Sequence, residues 1–193
     1  MRCKPGGPSR LPVPAHARTG FAAHQGVLPA LFCATLLLSG LSTVHAENPA
    51  FSSQALDFEL AASDGFVRLA DLPPRVSVIN FWRSDCPPCV RELPALARVA
   101  ERQAGQARIV AVALQRPVET ERAPAAARAA LRPPLLLLHG PSEPRGLLAR
   151  FGNRSGALPY TLVLTPDRRP CARHSGEIGE PWLLQAIARC QSA

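Results

Sequence analysis

The stretch Val76–Leu96 reads VSVINFWRSDCPPCVRELPAL and decides the architecture. Val76, Val78, Ile79 and Phe81 form an apolar, β-branched run ending at Trp82, so a buried strand is expected over Val76–Trp82. Three polar residues follow, then Cys86-Pro87-Pro88-Cys89, then a helical pattern. Pro87 and Pro88 suit a first helical turn, where a missing N–H costs little. A strand that stops where a helix starts leaves Cys86 at or beside the helix N-terminus. Free backbone N–H groups and the positive end of the dipole favour an anion there. A thiolate so placed titrates below the roughly 8.5 of free cysteine, towards about 7 or lower. Cys86 is thus a candidate nucleophile, and Cys89, one turn on, its partner in a redox-active dithiol.

Upstream, the composition changes. Of 22 Lys and Arg residues in the 193-residue chain, four (Arg2, Lys4, Arg10, Arg18) lie in residues 1–46, together with none of the 14 Asp and Glu. Thr19–Ala46 carries no charge, Val27–Val44 is mostly apolar, and Val44-His45-Ala46 puts small residues where a signal peptidase reads. A cleaved export signal is expected over 1–46. The alternative is an uncleaved membrane anchor through residues 27–44, which reach the lower length limit for a span but contain Pro29 and Gly40.

Residues 47–193 then make one domain, long enough to bury a core. They hold 18 Arg against 14 acids, dispersed and without an aromatic-interleaved basic patch, so nucleic acid is not an expected partner. No lysine follows position 4, which excludes lysine-based covalent or general-base chemistry in this region. Cys3 and Cys33 fall in the leader, leaving Cys86, Cys89, Cys171 and Cys190. An even number outside the cytosol suggests disulfides, with Cys171 and Cys190 as a structural staple. A zinc half-site at Cys86/Cys89 would need two more ligands, and His139, His174, Cys171 and Cys190 lack ligand spacing. No metal and no cofactor beyond the dithiol is expected.

The remaining elements follow from pattern. Asp57–Leu72 alternates about Ser63-Asp64-Gly65, a hairpin signal. After Cys89 a helix should bury Val90, Leu93, Leu96, Ala97 and Ala100, with a kink at Pro94. Strands are expected at Arg108–Gln115, Leu135–His139, Tyr160–Thr165 and Cys171–Ser175. A short helix is expected within Glu119–Arg132, its start limited by Pro124, and others at Arg145–Phe151 and at Pro181–Cys190, the last with Trp182, Leu183, Ala186 and Ile187 inward. The order implies an α/β fold, a central mixed sheet covered by helices.

That order, with CxxC at the first strand–helix junction, resembles the thioredoxin fold. In detail it resembles the extracytoplasmic TlpA/ResA-type thiol:disulfide oxidoreductases, which include the cytochrome c maturation thioredoxins. The resemblance rests on the N-terminal hairpin, on Asn80-Phe81-Trp82 before Cys86-Pro87-Pro88-Cys89, on Glu92 and Pro94, and on Leu158-Pro159-Tyr160-Thr161. It implies that Cys86 attacks a substrate disulfide and Cys89 resolves the mixed disulfide. Pro159 would be cis and face the cysteines, and the Leu158 backbone would pair with bound peptide. Glu92 would exchange a proton with Cys89, unless it is simply a solvated helix residue. Asn80 stands where cytosolic thioredoxins hold a buried Asp. Trp82, Pro87, Pro88 and Leu158 are candidate substrate contacts, although Trp82 suits packing beneath the site better. Asp85 departs from the family's uncharged residue and should oppose the Cys86 thiolate.

The function so implied is periplasmic or otherwise extracytoplasmic thiol:disulfide exchange in the reducing direction, by a monomer. Its partners would be protein disulfides such as those of apocytochrome c or copper-site proteins, and a membrane thiol donor. Two alternatives are a Cu(I) metallochaperone using Cys86, Cys89 and a His, and a peroxiredoxin-like peroxidase. The latter wants Thr where the chain has Arg83.

Overall fold

A computed structural model describes residues 54–193. The export signal or anchor expected over 1–46, with Cys3 and Cys33, lies outside the described residues.

The predicted core strand forms as β3, Val76–Trp82, with every residue buried. Its alternation divides the core. Val76, Val78 and Trp82 pack on one face of the sheet, Ile79 and Phe81 on the other. Strand β4 (Ala107–Ala113) runs parallel to β3, with Phe81 opposite Val112, and divides its own side chains in the same way. The expected hairpin is present as β1 (Glu59–Ala62) and β2 (Gly65–Arg68), closed by Ser63-Asp64. Gly65 takes φ +131, a conformation that L side chains rarely adopt. Asp57 caps the following turn, its Oδ1 accepting from the N–H of Phe58 and of Ala70.

Strand β5 (Leu136–His139) pairs parallel with β4 and antiparallel with β1; β6 (Tyr160–Leu164) and β7 (Pro170–Ser175) extend the other side antiparallel. The resulting seven-stranded mixed sheet has the order β2-β1-β5-β4-β3-β6-β7. Helices α1 (Pro87–Gln103) and α5 (Glu180–Gln191) cover one face through Leu93, Leu96, Val99, Leu183 and Ile187. The short α4 (Arg145–Arg150) brings Leu147 and Leu148 to the other face, where Phe58, Phe81 and Phe151 meet. Among the described residues no helix is long and apolar enough to cross a membrane.

One expectation needs correction. The buried stripe of α1 is Cys89, Glu92, Leu93, Leu96, Val99 and Ala100, while Val90 and Ala97 are only half-buried. The stripe is rotated because Cys89 and Glu92, polar by residue type, face the core. Pro94 lies inside the helix, where it removes a single N–H donor from the ladder. The short helix expected within Glu119–Arg132 is α3 (Ala125–Ala130), started by Pro124 as its N-cap, and a further helix, α2 (Pro117–Glu121), precedes it.

Candidate active site

Cys86 is the N-cap of α1 in extended conformation, and its carbonyl accepts the first helical bond from Val90 N–H at 3.1 Å. Pro87 and Pro88 occupy the first two helical positions without N–H groups, so the amide of Cys89 is the donor left nearest the helix mouth. Cys86 and Cys89 are joined in a disulfide, Cα to Cα 5.3 Å. Cys86 is half-buried, whereas Cys89 is sealed at 0% exposure. The chemistry is therefore asymmetric: a thiol partner can reach the sulfur of Cys86 and not that of Cys89. Pro87 is exposed and Pro88 half-buried beside it.

The peptide bond Leu158–Pro159 is cis, as expected. Leu158 is half-buried and packs against both halves of the core. The loop before it is built by Asn153, a residue that the sequence reading missed. Its Oδ1 accepts from Gly156 N–H (2.9 Å) and Ser155 Oγ (3.0 Å), and its Nδ2 donates to the Ala157 carbonyl at 2.8 Å. An Asn after Gly152 in a short polar run reads as a turn residue, and that was the available signal.

Trp82 is fully buried with its indole N–H unpartnered, so it packs beneath the site and offers no surface to a docked substrate. Glu92 is not a solvated helix residue: it is 1% exposed. Its Oε1 accepts from Asn80 Nδ2 at 2.6 Å and its Oε2 from the Ile178 amide at 2.9 Å. Asn80 also donates to Thr161 Oγ1 at 3.0 Å. Burial pushes the Glu92 carboxyl up to about 7, against the two donors that hold it down. This acid lies one turn after Cys89 on the same buried face of the helix. Asn80, far from leaving the site without a carboxylate, anchors one.

Asp85 is not an unopposed charge. Arg83 grips it with Nε at 2.8 Å and Nη2 at 3.0 Å, and this pairing holds its carboxyl below its ordinary range. The same guanidinium donates to the Leu114 carbonyl at 2.9 Å. The carboxylate expected to oppose the Cys86 thiolate thus has a cation, Arg83, paired with it.

A polar chain fastens this loop to the sheet. Gln115 Oε1 accepts from Ser84 N–H at 2.6 Å, and its Nε2 donates to Thr120 Oγ1 at 2.8 Å. Thr120 Oγ1 stands 3.2 Å from His139 Nε2. Burial lowers the pKa of His139 and so favours its neutral form. The His174 and Trp182 rings pack at a tilt of 60°, centres 5.3 Å apart.

Cys171 and Cys190 form the second disulfide, Cα to Cα 5.8 Å, tying β7 to the end of α5. It sits away from the first. Cys171 is in β7 beside Pro170, which pairs with Leu164 and through it with Ser77 near the start of β3.

The comparisons agree with this geometry. A protein proposed as the thiol:disulfide interchange protein DsbE of Chlorobium tepidum matches at TM-score 0.57 and 23% identity, covering 72% of this chain and 96% of that one. The exposed lipoprotein thioredoxin of Streptococcus pneumoniae matches at 0.54 and 24%, covering 69% and 98%. The thioredoxin domain of a thiol-disulfide oxidoreductase from Bacteroides vulgatus matches at 0.57 and 15%, covering 72% and 98%. The fold is thus thioredoxin-like. No curated protein sequence matches the chain. The AhpC/TSA family profile matches residues 51–169, spanning the hairpin, the CxxC helix and the cis-proline, and the chain belongs to the AhpC/TSA family.

Proposed function

We propose that this protein is a thiol:disulfide oxidoreductase of TlpA/ResA type that reduces protein disulfides outside the cytoplasm. The observation that carries the reading is the half-exposed Cys86 and sealed Cys89 at one helix mouth, with a buried carboxyl that titrates near 7 one turn further along the same helix. In the reduced protein the Cys86 thiolate attacks one sulfur of a substrate disulfide, giving a mixed disulfide and releasing the other substrate sulfur as thiolate. Cys89 passes its proton to Glu92 and attacks the Cys86 sulfur. The second substrate sulfur departs as thiolate and Cys86–Cys89 is oxidised. Two electrons have moved to the substrate, and a membrane thiol donor restores the dithiol. Leu158, Pro87 and Pro88, each at least partly exposed, would contact a bound peptide, and apocytochrome c or copper-site proteins would be the substrate class. Export through residues 1–46, by cleavage or as an anchor, would place the domain there.

Insulin reduction with a dithiol donor tests the activity, and a glutathione buffer series tests its direction. Reversible opening of Cys86–Cys89 at a potential on the reducing side is expected. A pair that does not cycle refutes the reading. Stoichiometric Cu(I) retention without disulfide turnover would instead mark a metallochaperone, and rapid peroxide consumption a peroxidase. Against the latter stands Arg83, three residues before Cys86.

A further inference from the structure

The pole of the sheet opposite the dithiol gathers positive charge. Arg75 precedes β3, Arg108 lies at the start of β4, and Arg168 follows β6, which runs antiparallel to both. Topology therefore brings the three to one end, and β3's seven residues separate them from Cys86 by roughly 20 Å. All three line a cavity of about 90 Å³ whose other walls include Ala70, Pro73 and Ser77. No Asp or Glu lines it. A neighbouring hollow of about 220 Å³ shares Arg75 and Arg108 and likewise has no acid in its lining.

Several arginines elsewhere meet carboxylates: Arg68 with Asp57, Arg83 with Asp85, Arg91 with Glu177, Arg169 with Asp167. Two acids adjoin these walls in sequence: Asp71, exposed, acts on Arg68, and Asp167 is held by Arg169 and the Thr165 hydroxyl. Among the described residues, Arg75, Arg108 and Arg168 meet only neutral acceptors. Arg75 donates to Ala104 O at 2.9 Å; Arg108 donates to Pro73 O at 2.9 Å and Ser77 Oγ at 3.2 Å; Arg168 reaches Ala70 O at 3.5 Å. A guanidinium has five N–H donors, so most remain free. The Nε–H of Arg168 is buried with no acceptor. Burial and the charge of Arg75 lower the pKa of Arg108, the signature of cations held close without a counter-charge.

We propose that this pocket binds a tetrahedral oxyanion of the phosphate class, bridged by Arg108 and Arg168 with Arg75 at its rim. Forked N–H donors match such an anion, and the cavity holds about three waters' volume, enough for one oxyanion. The ligand is either free inorganic phosphate or the phosphate of an anionic lipid headgroup. The site is independent of the dithiol chemistry.

The test is phosphate protection of the purified oxidised protein against an arginine-selective dicarbonyl reagent, with sites read by peptide mapping. Sodium chloride at matched ionic strength is the control, and vesicles of phosphatidylglycerol, with phosphatidylcholine as reference, form the second arm. At ten times Kd, modification of Arg108 and Arg168 should slow about tenfold, while exposed Arg154 is modified at an unchanged rate. Protection by inorganic phosphate assigns the free anion; protection by phosphatidylglycerol vesicles alone assigns the headgroup. No protection beyond chloride in either arm overturns the proposal. As a second measurement, the phosphate-dependent rise in melting temperature should disappear in Arg108→Gln and Arg168→Gln. A rise that persists undiminished in both folded variants also overturns it.

Discussion

Replacing Glu92 with Gln removes a charge that the fold holds at a cost. The carboxyl is 1% exposed, and burial displaces its titration from 4.5 to about 7. At about 1.4 kcal/mol per pH unit, that displacement corresponds to about 3 kcal/mol. The native state binds this proton more tightly than the unfolded chain does. Its stability therefore falls as pH rises through the window from 4.5 to about 7, and the loss is complete above it. Urea denaturation of the oxidised protein at pH 5 and pH 8 reads the effect. The wild type should lose about 2 to 3 kcal/mol more than Glu92→Gln between those two values. Comparing the difference between pH values cancels the constant cost of fitting an amide between the Asn80 amide and Ile178 N–H. Equal pH dependence in the two proteins would refute a buried, neutral-poised carboxyl. In the reduced protein the same substitution should erase the limb near pH 7 in the rate of mixed-disulfide resolution, measured by stopped-flow.

Three further outcomes are expected. Asp85→Ala should lower the Cys86 pKa by leaving Arg83 unpaired, and Arg83→Ala should raise it, with thiolate absorbance against pH as the measurement. Gln115→Leu leaves the Ser84 N–H without its acceptor, which should cost about 1–3 kcal/mol and shift the dithiol potential in a glutathione series; Gln115→Glu, which keeps that acceptor, should restore the potential. Replacing Cys171 and Cys190 by Ala opens a loop with a sequence separation of 19 and should cost about 3 kcal/mol in thermal unfolding, with insulin reduction by the folded variant unchanged.

What could be read from sequence was what a short window determines. Val76–Trp82, the position of Cys86 at the helix start, and the hairpin about Asp64 all depend on neighbouring residues alone. The cis bond at Pro159 came from the family's pattern; that at Pro133–Pro134 had no such guide. Glu92 resisted because its burial depends on an amide 86 residues further on, at Ile178, and on Asn80 across the sheet. Gln115 and Thr120 look like ordinary loop and helix polars until β5 brings His139 beside them. Arg83 was noted as a missing threonine, whereas its clamp on Asp85 required the loop's curvature.

The two disulfides have a consequence for electron accounting. Cys190 is sealed at 0% exposure, and Cys171 lies at the end of the sheet far from Cys86. A dithiol able to open foreign crosslinks is thus kept from opening its own. Mild reductant should release the two thiols of Cys86 and Cys89 and leave Cys171–Cys190 closed, so the domain carries one pair of electrons per cycle.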